Sequence, residues 1–407
     1  MIASRAMAAG QSVTYTEMDY DAMLKRIERI FSLDADDPEK SVAGAERLSP
    51  VAGAHRIFTS AMSVIPIALK QKKDGQRLDV CDPYLDRVLH VRMNDTMSPA
   101  LGKKVIASQS FWHGLGAAYI ERDGLGNVIG LIPLPSDGYQ YMKDSDSGQV
   151  WYAFSVDGMT RKFQPGELIL TFFETYDAKK GRGVLDLARD TIATDRAAQR
   201  YLRKFYANGG RLSGVLEVDT DADKTTRERI RDEFQHYASG MDNVFKVALL
   251  DRGMKYTSLG ISQADAQFIE SRGFSVEEIS RFTGIPEFML QSGKQSYNSN
   301  EQQQLVFVTN AIVPHVTQWE QEFAYKLYHE SQLNDGCYMR ANVSALMRGD
   351  DATRSKFYQT MVYSGILNPD ECRALEERNP QPNGVGGHFF ITKNLDTIDH
   401  VVKGVNE

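Results

Sequence analysis

Cysteine is scarce in this chain. Cys81, Cys337 and Cys372 are odd in number and far apart, so neither a disulfide framework nor a zinc spacing can be built from them. That points to a reducing compartment. Long apolar runs are also missing. No stretch approaches the roughly 18 uninterrupted apolar residues of a membrane-spanning helix. The opening MIASRAMAAGQS has no apolar h-region, so neither a secretory signal nor membrane insertion is expected. The sequons at Asn94 and Asn342 are accordingly read as carrying no glycan. Positive charge is outnumbered, 47 Lys and Arg against 54 Asp and Glu, for a formal net charge of −7. A chain basic throughout is excluded, although a local basic patch is not.

Signatures of chemistry are missing as well. The eight histidines (His55, His90, His113, His236, His315, His329, His388 and His400) include no i, i+4 pair, so no metal site is expected. There is no Gly-x-Ser-x-Gly elbow. Ser292-Gly293-Lys294-Gln295 approaches the end of a phosphate-binding loop. Its upstream glycine, Gly284, is too distant, and Gln295 stands where Ser or Thr must hold magnesium. Gly124-Leu125-Gly126 lies between two strand patterns, which makes it a hairpin turn rather than a dinucleotide cradle. The acidic pairs Glu277-Glu278, Glu320 with Glu322, and Glu376-Glu377 are read as solvated helix faces. No enzyme, cofactor or metal is expected.

What is present is an α+β pattern across 407 residues, enough for two to four compact regions. A short amphipathic helix (Met23, Ile27, Ile30, Phe31) lies in an N-terminal arm. A helix over 47–65 leads into a strand at 66–70 and a hairpin turn at Lys72–Gly75. A helix over 98–116 precedes strand-like runs at 117–122, 128–134, 138–142, 150–156 and 168–173, which read as one regular meander. From Val184 the period turns helical (Leu185, Ala188, Ile192, Ala198, Tyr201, Leu202, Phe205) and stops at Asn208-Gly209-Gly210. Residues 211–260 form a small unit of strands at 215–218, 245–250 and 255–259 around a charged helix at 225–237. A helix over 263–283 leaves it, and further helices are expected at 351–364 and from Asn368.

One stretch stands out. The helix over 263–283 stops at Gly284-Ile285-Pro286, and a polar run over 291–304 follows without an aliphatic residue. Then Leu305, Val308, Ile312, Val316, Trp319, Phe323 and Leu327 recur at spacings of three and four, one stripe of a long helix. Over 300–329 that helix would span roughly 45 Å. Pro314 near its middle crowds the carbonyl of Asn310, so a bend is expected there. His315 is expected to be a packing residue.

Several stretches, in order, resemble the HK97-like portal proteins of tailed bacteriophages, prophages and gene transfer agents. They are SVIPI (63–67), GLGAAYIERDGLGNVIGLIPLP (114–135), VLDLARDTIATDRAAQRYLRKFYANGGRLSG (184–214), MKYTSLGISQADAQFIESRGFSVEEISRFT (254–283), GIPEFML (284–290), YNSNEQ (297–302), RGD (348–350) and SGILN (364–368). The resemblance implies a portal fold: an arm over 1–45, a β-rich wing over 46–185, stem helices over 186–210 and 261–283, and a small α/β clip over 211–260. It continues with a tunnel-loop region over 284–300, a long kinked helix over 301–338 returning to the wing, and an α-helical crown over 339–407.

The same resemblance implies a dodecameric ring at one capsid vertex, through which double-stranded DNA is packaged and ejected. It implies a tunnel loop facing DNA through Gln291, Ser292, Gly293, Lys294, Gln295, Ser296, Tyr297 and Asn298. The clip, with Arg227, Glu228, Arg231, Asp232, Asp251 and Arg252, would dock the large terminase subunit and later a head–tail adaptor. The major capsid protein or scaffold would be a further partner. The protein would assemble in the host bacterial cytoplasm and reside in the virion, with no membrane involved. A ring needs a heterologous interface, for which Arg196, Arg200, Arg203 and Lys204 could meet Glu270, Glu277 and Glu278. One Lys294 per loop suits a channel that must not grip, because each neutralised phosphate adds affinity. A hydrolase or nucleotide-binding enzyme on the same body, or a non-functional prophage-derived scaffold, are the alternatives. The missing catalytic constellations argue against the former and the intact loop segment against the latter.

Overall fold

The computed structural model describes residues 42–46, 48–196, 199, 214–218, 225–226, 228–230, 232, 254–258, 276–290, 300–347, 351–376 and 378–390. Its contacts divide the chain at Asn342/Val343 into two compact units.

The first unit is a mixture of helices and small antiparallel sheets. Helix α1 (Ser49–Val64) packs against helix α3 (Pro99–His113). Ser98 caps α3 by accepting from Leu101 N at 3.3 Å, and Pro99 starts it, where a missing N–H costs nothing. Gly114 ends it in the left-handed region at φ 83°. Between α1 and α3 the chain makes β1 (Ile67–Lys73), β2 (Gln76–Asp79) and a helical stretch the sequence reading did not anticipate. That stretch is α2 (Pro83–Asp86) running into a π-turn (Arg87–Val91). Its start was nonetheless written as an acid before a proline: Asp82 accepts from Tyr84 N and Leu85 N at 3.1 and 3.2 Å.

The expected single meander is two sheets instead. One is β4-β3-β8, from β3 (Leu115–Arg122), β4 (Val128–Leu134) and β8 (Leu168–Phe172). The other is β5-β6-β7, from β5 (Gln140–Lys143), β6 (Val150–Val156) and β7 (Met159–Phe163). Strand β8 returns across the intervening sequence to pair with β3, Leu115 opposite Phe172, and Leu168 and Ile169 are fully buried there. Leu115, Ala117, Leu134, Tyr152, Phe154, Phe163 and Leu168 form the core that joins the two sheets. Gly116 permits β3 to lie close against α3, since an added Cβ would lie 2.4 Å from the carbonyl oxygen of Ile106. A two-residue ladder, β9 (Glu174–Thr175) with β10 (Gly181–Arg182), then leads to α4 (Val184–Leu187).

The helix expected from Val184 is broken at Ala188 and helical again over 189–196, and Val184, Ala188 and Ile192 are buried. Strands β11 (Gly214–Val218) and β12 (Met254–Ser258) pair antiparallel, with Gly214 opposite Ser258. The described positions between them, 225–226, 228–230 and 232, are helical, while the strand expected at 245–250 lies outside the described residues. Helix returns over 276–283 and stops at Gly284, φ 69°, before α5 (Glu287–Leu290).

The long helix is three consecutive pieces. They are α6 (Asn300–Phe307), a π-turn (Val308–Ile312) and α7 (Val313–Leu327), followed by α8 (Glu330–Asn334) and β13 (Cys337–Ala341). Strand β13 completes the sheet β13-β1-β2, with Ile67 opposite Ala341.

The second unit is small. A 3-10 turn (Val343–Met347) precedes α9 (Asp351–Tyr363) and α10 (Pro369–Leu375). Asn368 and Glu371 cap α10 reciprocally, at 2.8 and 2.9 Å. Glu376 ties the two helices, accepting from Tyr358 Oη at 2.5 Å and facing Arg354 Nε at 3.3 Å. That carboxylate is engaged in the fold rather than simply solvated.

Candidate functional site

The long helix is the element that the surrounding parts hold in place. Val308, Ile312, Val316, Trp319, Phe323 and Leu327 are buried as the periodicity demands, whereas Leu305 is 51% exposed. Instead of a clash between the Pro314 ring and the carbonyl of Asn310, the turn before it is widened. Val313 N bonds back to Val308 O, five residues earlier, so the ladder is re-registered before the proline enters it. His315 follows at once and is packed as expected. Its ring stacks on Phe173 at 5.1 Å and meets Phe58 edge-on at 5.0 Å. Phe58 and Phe111 extend the cluster to His55 and Trp112, so α1, α3, the end of β8 and the long helix share one aromatic joint. Burial pulls the His315 imidazole down to about 4, and burial, with Lys104 nearby, does the same to His55. Both rings are neutral at pH 7.

Three polar side chains of α7 fasten it to sheets on either side. Gln318 Oε1 accepts from Phe172 N and Glu322 Oε1 from Leu170 N, each at 3.0 Å. These are strand amides on the outer edge of β8, which among the described residues has no further strand beside it. On the other side Glu320 accepts from Ala341 N of β13 at 2.6 Å and from Arg340 Nη1 at 3.3 Å. Glu320 is 9% exposed, and burial raises the Glu322 carboxyl. The expectation of a solvated face at Glu320 and Glu322 is therefore corrected. Their spacing puts them beside amides that no strand among the described residues reaches. Arg122 donates to the Lys326 carbonyl at 2.6 Å and Lys326 Nζ to the Pro165 carbonyl at 2.5 Å, closing the C-terminal end.

The other residues singled out from the sequence lie as follows. Gln291, Ser292, Gly293, Lys294, Gln295, Ser296, Tyr297 and Asn298 are outside the described residues, as are Arg200, Arg203, Lys204, Glu270, Arg227, Arg231, Asp251 and Arg252. The two ends of the 291–299 segment are described: Leu290 reaches to within van der Waals distance of a Cβ at Gly53, and Asn300 opens α6. Glu277 pairs with Arg281 on its own helix. Glu278 accepts from Thr191 Oγ1 at 2.7 Å, which joins the outgoing helix at 189–196 to the returning one at 276–283. Ile192 and Ile279 are buried, and Arg196 is partly buried on the outgoing helix. Glu228 and Asp232 are exposed on the helix between β11 and β12. The described residues contain no cluster of His, Cys, Asp and Glu able to hold a metal, and no described helix is long and apolar enough to cross a membrane.

The family model for phage portal proteins matches residues 49–377. The chain belongs to the phage portal protein family. It is 26% identical over 375 residues to the probable portal protein of Streptomyces phage phiC31, covering 87% of this chain and 79% of the relative. It is 24% identical over 331 residues to the portal protein of Enterobacteria phage HK97, covering 80% and 77%. Among solved structures, an HK97-family phage portal protein from Corynebacterium diphtheriae superposes with a TM-score of 0.58 at 18% identity, over 76% of this chain and 98% of the other. A chain in the neck of a native gene transfer agent particle, solved with C12 symmetry, superposes with a TM-score of 0.56 at 18% identity, over 93% and 98%. The HK97-like resemblance holds, and the mixed helix-and-sheet architecture is that of a portal protein. The function is that of a portal, a structural component of the virion.

Proposed function

We propose that twelve copies close into a ring at one capsid vertex and conduct double-stranded DNA during packaging and ejection. The observation that carries this reading is the portal-family match over 49–377, and the likeness to a neck chain solved with C12 symmetry supports the ring size. In this reading residues 46–185 form the wing, 186–210 and 261–283 the stem, 211–260 the clip, 301–338 the helix returning to the wing, and 339–407 the crown. The segment 291–298 is the tunnel loop. The clip receives the large terminase subunit and then a head–tail adaptor, and the ring meets the major capsid protein or its scaffold in the host cytoplasm. The firm anchoring of α7 supports this division, because a loop that touches moving DNA needs a fixed support behind it.

Negative-stain microscopy of the purified chain tests the ring, with particles holding a central hole of duplex width as the expected result. A monomer that persists at high concentration, with and without its scaffold, would overturn it. For the loop, Lys294→Ala is expected to assemble normally and to change packaging efficiency. Wild-type packaging by a Lys294→Asp, Tyr297→Ala double variant would remove the loop from the DNA path. Native mass spectrometry of Arg200→Glu tests the stem contact with the acidic positions, and undiminished assembly would refute it.

A further inference from the structure

A cavity of about 290 Å³ opens where the last turn of α3, the turn after β4, the β9–β10 ladder and α4 meet. We infer that this cavity is a binding site for a small oxyanion, a phosphate or a carboxylate, independent of DNA conduction. Two side chains that line it, Trp112 and Ser136, are almost wholly buried, and among the described residues Trp112 Nε1 and Ser136 Oγ have no hydrogen-bond partner. An indole N–H can only donate, so the group that satisfies it must be an acceptor. Buried polar groups are rarely left unpaired, and such an exception calls for a missing partner.

Three further groups of the wall can donate. The phenol of Tyr139 receives the Gly181 N–H at 2.6 Å, which leaves its own hydrogen available. Lys180 and Arg189 stand exposed at the rim, and neither has an ion-pair partner among the described residues. The wall is preformed. Trp112 is held edge-on against Phe111 at 5.0 Å, and Ser136 N is tied to Gln109 Oε1 at 3.1 Å. Acidic groups limit what can enter. Asp186 lines the cavity, and with Asp137 it faces His113, whose imidazole is lowered by burial. Two cations against two carboxylates leave the site near neutrality, so it suits a compact anion bound through donors, and not a polyanion held by net charge.

The test uses the full-length protein in Tris-chloride at pH 7.5 and constant ionic strength. Inorganic phosphate is titrated in one arm and acetate in the other, with tryptophan emission and Tm as readouts. A saturable change in emission and a rise in Tm are expected in at least one arm, and the arm that responds identifies the anion. Lys180→Gln with Arg189→Gln, both at exposed positions, should leave Tm without ligand unchanged and weaken binding about tenfold or more. Ser136→Ala should weaken it without moving the rim charges. No saturable response to either anion, or equal affinity in the double variant, would overturn the assignment.

Discussion

Acid should weaken the joint between the long helix and its neighbours through His315. The ring lies between Phe173 and Phe58 with its pKa lowered to about 4 from the ordinary 6.5, and burial is the main cause. A base whose folded pKa lies below its unfolded one stays neutral in the fold while the unfolded chain takes up a proton. Stability is therefore full above pH 6.5 and falls as pH drops from 6.5 towards 4. At 1.36 kcal/mol per pH unit, the 2.5-unit gap sets a ceiling of about 3.4 kcal/mol. His315 as a residue is not wholly buried, so about half that ceiling, ~1.7 kcal/mol, is the working figure. His55, hydrogen-bonded to Ser108 Oγ at 2.8 Å and also lowered to about 4, adds a loss in the same window. Urea midpoints of the full chain between pH 7.5 and 4 measure the sum. His315→Phe isolates one ring: it keeps the aromatic stack, gives up the hydrogen bond to the Phe172 backbone, and should flatten the acid slope by up to one proton. If His315→Phe and the parent chain lose stability in parallel below pH 6.5, the reasoning is wrong.

Three further outcomes follow from the packing. Gly116→Ala places a Cβ 2.4 Å from the Ile106 carbonyl and 2.7 Å from Thr171 Oγ1, so it should cost about 3 kcal/mol or more, read as loss of soluble protein or a lower urea midpoint. Lys103 is buried with Nζ 2.5 Å from the Ile65 carbonyl and its pKa lowered to about 8. The parent chain should gain stability as pH rises from 8 to 10.5, and Lys103→Met should abolish that gain in urea titrations. Replacing both Gln318 and Glu322 by Leu strands two edge amides of β8, which should cost about 2–4 kcal/mol and promote aggregation, seen by light scattering at the lowered midpoint.

The sequence was most readable where one physical rule dominated. The stripe from Val308 to Leu327 follows from helical period alone, and the turns at Asp74-Gly75 and Asp123–Asn127 follow from turn chemistry. Ser98 and Asn368 announced their helices as caps. The pairing of β8 with β3 was not legible, because a ladder between distant segments leaves no local pattern. Helix α2 was missed although Asp82-Pro83 offered a start signal, since its run is too short to show a period. The engaged roles of Gln318, Glu320 and Glu322 were hidden for a different reason: a polar residue on a helix looks the same whether it meets water or a strand edge. Of the functional elements, the ordered portal motifs were visible, while the oxyanion cavity was not. Its donors come from segments as distant as Trp112 and Arg189.

The grip of α7 on β8 matches two lattices. Gln318 and Glu322 are four residues apart on a helix, a rise of about 6.0 Å. The amides they hold, Phe172 and Leu170, are two apart on a strand, about 6.7 Å. The periods agree closely enough for two teeth to engage together, in one alignment only. A slide of the helix by one residue would disengage both at once, with no neighbouring position that restores them. The two bonds therefore act as a detent rather than a spring: displacement of α7 along its axis breaks both together instead of stretching them by degrees.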